Sequence, residues 1–144
     1  MSLLEVRNLE VTFASRGGKL VALRDVSFSL EPGERLGIVG ESGAGKSVAA
    51  FAILNLISRP GYISGGEILF EGQDLTQLSP QEMRSIRGNR ISMIFQDPMM
   101  TLNPVLSVGV QMTEVLHAHR EILSLIHISE PTRRYAISYA VFCL

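Results

Sequence analysis

The chain has 144 residues, a formal net charge of −1, 46% hydrophobic residues and 19% charged residues. This composition indicates one folded domain at most and excludes a disordered chain. Because the net charge is close to zero, no basic surface is expected and nucleic acid is not a predicted partner. No apolar run approaches the roughly 18 residues of a membrane-spanning helix, and the N-terminal sequence lacks signal-peptide features. The single Cys143 allows no internal disulfide, so a cytosolic location is expected.

The N-terminal part of the chain predicts a small antiparallel meander. Apolar and polar residues alternate over 4–13, a Gly-Gly turn follows at 16–19, and a second strand is expected over 20–23. Alternation resumes over 26–30 and ends at a Glu-Pro-Gly-Glu turn. Residues 36–39, Leu-Gly-Ile-Val, are continuously apolar, which is typical of a strand buried on both faces.

Residues 40–47 match the phosphate-binding pattern G-x-x-x-x-G-K-[ST] at every specified position. They lie between the expected strand 36–39 and the apolar segment 48–57, which is predicted to be a buried helix. This strand–loop–helix context distinguishes the motif from a glycine-rich turn that binds nothing, and it predicts binding of a nucleoside triphosphate. The predicted nucleotide-binding residues of this segment are Gly40, Glu41, Ser42, Gly43, Ala44, Gly45, Lys46, Ser47 and Val48.

The residue types in this loop explain the predicted chemistry. Glycines let the backbone approach a ligand closely, and successive N–H groups at a helix N-terminus attract an anion. Lys46 is predicted to reach the β- and γ-phosphates, and the Ser47 hydroxyl is predicted to coordinate Mg²⁺. The carboxylate of Glu41 is expected to face solvent or a partner. Taken alone, the motif does not say how the triphosphate is used.

The segment after the loop carries further signals of local structure. The helix over 48–57 is expected to stop at the Arg-Pro-Gly sequence of residues 59–61, with a turn at 64–66 and a short strand over 67–72. Ser79, followed by Pro80 and Glu82, predicts a helix that runs to about residue 88. Its arginines are interpreted as a solvated face.

A second buried strand is predicted over 91–95, and Gln96 follows it directly. The next loop contains two X-Pro pairs and the sequence Met-Met-Thr-Leu-Asn-Pro at residues 99–104. A helix is then expected over 108–120.

Taken together, these features resemble the ATP-binding subunit of ABC transporters, and among them the importers of di- and oligopeptides or nickel. The resemblance covers residues 3–121. It rests on the meander, the phosphate loop, Gln96 after a buried strand, and the sequence of the 99–104 loop.

The resemblance implies roles for three residues. Phe13 matches the place of an aromatic side chain that stacks on adenine, although it could equally fill the core of the meander. Gln96 matches the glutamine whose amide oxygen reaches Mg²⁺ and the attacking water, and the alternative is a solvent-facing strand end. The implied catalytic residues are Lys46 and Gln96, and the implied Mg²⁺ ligands are Ser47 and Gln96. The loop at 99–104 would suit docking of a permease helix.

The implied fold is α/β: a P-loop ATPase core with an N-terminal antiparallel β subdomain and the first half of a parallel sheet, incomplete. The implied function is ATP hydrolysis that drives peptide import. The implied partners are transmembrane permease subunits, a second ATP-binding subunit and, indirectly, a solute-binding protein, at the cytoplasmic face of the membrane. The alternatives are an ABC-type ATPase without a membrane partner, another P-loop NTPase, and a truncated piece without enzymatic activity.

Three catalytic parts of the family pattern do not occur in these 144 residues: a Leu-Ser-Gly-Gly-Gln signature, an apolar strand ending in Asp-Glu, and a switch histidine after it. Instead, residues 123–144 resemble the in-frame translation of a transposon-type sequencing adapter. We therefore expect residues 1–122 to be the N-terminal part of an ATP-binding domain and residues 123–144 to be a non-native read-through tail. The 144-residue chain itself is expected to be inactive.

Overall fold

The computed structural model describes residues 2–96, 102–119 and 142–143. The chain divides into two compact units, Met1–Arg84 and Ser85–Leu144. In chain order the elements are β1 (Leu4–Ser15), β2 (Gly18–Leu30), α1 (Lys46–Ile53), β3 (Gly61–Phe70), β4 (Gln73–Asp74), a 3₁₀ turn (Leu75–Gln77), α2 (Pro80–Ile86), β5 (Met93–Ile94), α3 (Val108–His119) and β6 (Phe142–Cys143).

The first unit is built on a four-stranded antiparallel sheet with the strand order β2-β1-β3-β4. The predicted antiparallel arrangement is confirmed, although the two short strands expected after the Gly-Gly turn form the single strand β2. The central strand β1 contributes Val6, Leu9 and Val11 to the core, and β3 contributes Ile68; each is at most 1% exposed. Their burial follows the alternation of apolar residues, because successive side chains of a strand point to opposite faces.

The turn predicted at residues 64–66 is wrong. These residues lie inside β3, which pairs with β1 along most of its length. The register shifts between Arg7 and Val11 of β1, and Gly66 in this region has a φ of 87°. The glycines therefore mark a β-bulge that lets the strand continue, rather than a turn that ends it.

The buried strand predicted over residues 36–39 is also wrong in this structure. No strand is formed there, and Leu36, Ile38 and Val39 are 40%, 44% and 96% exposed. A strand needs a neighbouring backbone for its hydrogen bonds and covering layers for its apolar side chains. Among the described residues, no strand pairs with this segment.

Helix α1 begins earlier and ends earlier than the segment 48–57 predicted for it. Leu54 caps its C-terminus, and Asn55 has a φ of 49°, which is outside the helical region. Within the helix only Ala49 and Ala52 are fully buried, so the expectation of a helix buried on all sides was wrong. The apolar sequence therefore predicted that a helix forms here, but it did not predict how much of the helix surface is buried.

Helix α2 begins with the predicted capping box. The Ser79 backbone N–H and hydroxyl donate to the Glu82 carboxylate at 2.8 and 2.7 Å, and the Glu82 N–H donates to the Ser79 hydroxyl oxygen at 3.3 Å. The hydrogen bond from the Ser79 hydroxyl, followed by that from its N–H, holds the pKa of the Glu82 carboxyl below its ordinary value. The ionised carboxylate thus favours the folded helix start.

This capping box predicts a loss of stability in acid. Because the pKa of Glu82 is lower in the folded state, its contribution is present above the unfolded pKa of about 4.3 and is lost as pH falls through the folded pKa. The unfolding free energy, measured with urea at about pH 7 and about pH 3.5, should fall less for Glu82→Gln than for the wild type. Ser79→Ala keeps the backbone donor and should give an intermediate fall, whereas equal falls in all three would contradict the assignment.

In the second unit, the strand predicted over 91–95 is shorter than expected. Only Met93–Ile94 forms β5, which pairs in parallel with β6. Ile91 is buried, but Ile94 and Phe95 are 50% and 39% exposed, so the expectation of a buried strand holds only at its start. Helix α3 confirms the helix predicted over 108–120 up to His119. Within the described ranges, no helix is long and apolar enough to cross a membrane.

Candidate functional site

The predicted phosphate loop forms a compact turn immediately before α1. The N–H of Ala44 donates to the carbonyl oxygen of Glu41 at 3.1 Å, and Gly43 and Gly45 have φ values of 82° and 87°. Residues 40–44 are exposed, whereas Gly45 and Lys46 are half-buried. The backbone therefore turns tightly while the loop's main chain stays accessible to a ligand from solvent.

Gly45 is required for two reasons that act together. Its positive φ disfavours any residue with a side chain, and it packs closely against β2. A Cβ at this position would lie 2.6 Å from Leu23 Cδ2 and 3.1 Å from the carbonyl oxygen of Ala22. The end of the loop is thus held against the second strand of the sheet.

We expect Gly45→Ala to destabilise the protein by about 1–3 kcal/mol through backbone strain, and to displace the loop from β2 as well. Gly43→Ala is the matched control, because Gly43 also has a positive φ but has open space where its Cβ would lie. Triphosphate binding, measured by equilibrium dialysis, should therefore be lost more completely in Gly45→Ala than in Gly43→Ala. Equal losses would show that the contact with Leu23 does not position the loop.

Lys46, the first residue of α1, reaches back across the loop. Its Nζ donates to the carbonyl oxygens of Gly40 and Glu41, each at 2.7 Å. A lysine ammonium has three donors, so two of them fix its position and one remains for an anion in the loop. The side chain is thereby held where it adds a full positive charge to the loop.

The N-terminus of α1 adds to this positive character. Its N-cap is Gly45, which makes no side-chain capping hydrogen bond, and the first turn contains no acidic residue. The first N–H groups of a helix have no partner within the helix, so their partial positive charge is available to a ligand. The exposed Ser47 lies in this first turn. These features suit a polyphosphate and its Mg²⁺.

Phe13 lies near the end of β1, and its direct partners on the two neighbouring strands are Leu20 of β2 and Gly61 of β3. The pairing of β1 with β2 shifts between Val11 and Thr12, so the surroundings of Phe13 do not follow from simple alternation along the strand. Phe13 is half-buried, so part of its surface is accessible to solvent. Its predicted stacking on adenine stays a prediction.

Gln96 belongs to the second unit, where it follows β5 and is exposed. Its predicted contacts with Mg²⁺ and water stay a prediction. Residues 99–101 of the 99–104 loop predicted to dock on a permease lie outside the described residues, and so does most of the predicted tail. Among the residues that the structure describes, no group of three or more His, Cys, Asp or Glu could hold a metal ion.

The structure also identifies supporting residues that the sequence did not indicate. Leu23 lies against Gly45 of the loop, and the side chains of Phe13 and Ile57 both lie against Gly61. These contacts join residues that are far apart in the chain, so no local pattern could have revealed them.

Comparison with known proteins agrees with this geometry. The model of the ABC transporter family matches residues 23–139. The oligopeptide transport ATP-binding protein OppD of Bacillus subtilis is 56% identical over 121 residues, which cover 83% of this chain and 34% of that protein. The OppD of Salmonella typhimurium is 50% identical over 118 residues, covering 82% of this chain and 35% of that protein. The chain thus spans about a third of the length of these relatives.

Solved structures show the same fold. A dimeric bacterial ABC transporter cassette has a TM-score of 0.75 and 24% identity, with 86% of this chain and 51% of that chain covered. A post-hydrolysis state of such a cassette, bound to ADP and phosphate, has a TM-score of 0.68 and 23% identity over the same shares. This likeness confirms the predicted α/β class, an incomplete P-loop ATPase core with an antiparallel subdomain. The chain therefore belongs to the ABC transporter family.

Proposed function

We propose that this chain is the N-terminal part of the ATP-binding subunit of an importer of di- and oligopeptides, in which ATP hydrolysis drives uptake. The observation that carries the proposal is the position of the Lys46 ammonium, which is fixed across the phosphate loop at the N-terminus of α1. The proposed solute class is supported by the names of the oligopeptide and dipeptide relatives.

In this proposal the loop grips the triphosphate through charge and main-chain donors. The N–H groups of residues 45–48 would face the phosphates, and Lys46 would neutralise part of their charge. A bound Mg²⁺ would supply charge neutralisation between the β- and γ-phosphates, with the Ser47 hydroxyl among its ligands. The exposed Ser47 suits this role because its hydroxyl is accessible at the start of α1.

The adenine base would stack on Phe13. Phe13 is half-buried on β1, and this partial exposure supports the proposal because it leaves apolar surface accessible to a base. Stacking on an aromatic ring suits adenine because both are flat π-systems. Gln96 would orient the attacking water and contact Mg²⁺ through its amide oxygen. An amide suits both roles because it offers a donor and an acceptor without charge.

The proposed assembly places a second ATP-binding subunit and two transmembrane permease subunits around this one, at the cytoplasmic face of the membrane. A separate solute-binding protein would deliver the peptide. We also propose that residues 123–144 take no part in this function, in keeping with their resemblance to a translated adapter. Sequencing the uninterrupted gene tests that point, because its codons should depart from the present sequence after residue 122.

A chimera tests the function directly. It joins residues 1–122 of this chain to the remaining part of the Bacillus subtilis oligopeptide relative, at the equivalent position of the alignment. In a strain that lacks that relative, the chimera should restore uptake of a labelled peptide, and its Lys46→Ala version should not. A chimera that is produced and binds ATP but restores no uptake would contradict the assignment to peptide import.

A further inference from the structure

The ring of Phe13 is confined by a glycine on the neighbouring strand. Gly61, the first residue of β3, is the direct partner of Phe13 on β1. A Cβ at Gly61 would lie 2.5 Å from Phe13 Cε1 and 2.8 Å from Phe13 Cδ1. Carbon atoms in contact are about 3.5–4.0 Å apart, so the ring occupies space that any side chain at this position would need.

The backbone of Gly61 has little freedom to withdraw. Its N–H donates to the carbonyl oxygen of Ser58 at 2.9 Å, and the carbonyl oxygen of the preceding Pro60 accepts from the N–H of Ala14 at 3.2 Å. Ala14 directly follows Phe13 on β1. These hydrogen bonds hold the backbone next to Gly61 and the backbone next to Phe13 in place. A side chain at Gly61 would therefore displace the Phe13 ring rather than the strand.

The surroundings decide where a displaced ring would go. Ile57 closes one direction, because its Cγ2 would lie 2.7 Å from a Cβ at Gly61. On the other side Phe13 faces its partner on β2, Leu20, which is 65% exposed. The ring can therefore tilt toward Leu20 and solvent without disrupting the buried core.

We infer that Gly61 is a positioning residue that sets the plane of the Phe13 ring for stacking on the nucleotide base. The inference rests on the proposed function, since it requires that Phe13 contact adenine. It concerns the base alone, because the atoms nearest to a Cβ at Gly61 belong to Phe13 and Ile57. A side chain at Gly61 should thus weaken recognition of ATP but not of a polyphosphate without a base.

The test compares two probes, Mg–ATP and Mg–tripolyphosphate, by equilibrium dialysis on the full chain and on the chimera. Gly61→Ala should weaken ATP binding about tenfold and leave tripolyphosphate binding unchanged. Gly65→Ala is the matched control on the same strand, because a Cβ there would make an ordinary 3.7 Å contact with Glu10 Cβ. It should leave both affinities unchanged. Thermal unfolding followed by circular dichroism checks that each variant is folded.

A double variant separates positioning from a general structural effect. If Gly61 acts through the ring, Gly61→Ala should have no further effect on ATP affinity in a Phe13→Ala background. The same loss in that background, an equal loss of both probes, or no loss of ATP affinity would each overturn the inference. Full ATP affinity in Phe13→Ala alone would overturn it too. If neither the unmodified 144-residue chain nor the unmodified chimera binds Mg–ATP or Mg–tripolyphosphate, that result would instead contradict the proposed function.

Discussion

Lys46→Ala is expected to weaken Mg–ATP binding by the chimera at least about 30-fold, or about 2 kcal/mol, and to abolish its hydrolysis. The expected loss is large because the ammonium would neutralise phosphate charge and because it also donates to the carbonyl oxygens of Gly40 and Glu41. Without it, the phosphates would face two carbonyl oxygens that no longer have their donor. Equilibrium dialysis and phosphate release measure the two effects.

The matched control for this variant is Lys19→Ala. Lys19 is an exposed lysine near the start of β2, so its loss changes the net charge of the protein by the same amount. It should leave affinity and turnover close to those of the unmodified chimera. Lys46→Arg keeps the charge but replaces a compact ammonium by a planar group, and an intermediate affinity is expected. If Lys46→Ala and Lys19→Ala behave alike, the loop does not bind the triphosphate in the proposed way.

The parts of the fold that were predicted correctly depend on local chemistry. The capping box needs only Ser79 and Glu82, which are three residues apart on the same turn, and the structure forms it as expected. The hairpin of β1 and β2 follows from alternating apolar residues on either side of a Gly-Gly turn. The phosphate loop is likewise a continuous segment, so its tight turn directly before α1 could be predicted, whereas the contact of Lys46 with phosphates stays a prediction.

The parts that were missed depend on neighbours in space. The apolar sequence of residues 36–39 favours a buried strand, but a strand forms only beside another backbone, and Val39 is 96% exposed here. The role of Gly61 could not be predicted either, because it arises from the pairing of β3 with β1. Gln96 lies two residues after β5 rather than directly after a buried strand, and the contacts proposed for it depend on groups that a local pattern does not specify.

The purified 144-residue chain is expected to show no ATPase activity above its own Lys46→Ala variant. Its sequence contains no apolar strand ending in Asp-Glu, so it lacks the carboxylate that would polarise the attacking water. Loss of a general base typically lowers the rate by about 10²–10⁴-fold. The only contribution to catalysis left in this chain would be positioning of the nucleotide. The chimera regains that carboxylate from its second part and should hydrolyse ATP under the same conditions. If the 144-residue chain hydrolyses ATP and Lys46→Ala abolishes that activity, nucleotide positioning alone suffices for hydrolysis.

The exposed segment 36–39 makes the same chain prone to self-association, since exposed apolar side chains on a backbone that pairs with no strand favour contact between copies. Val39→Thr is nearly isosteric and should reduce association of the 144-residue chain, seen by size-exclusion chromatography, without loss of stability. In the chimera the same variant should lower stability, because there the segment is expected to become a buried strand of the parallel sheet.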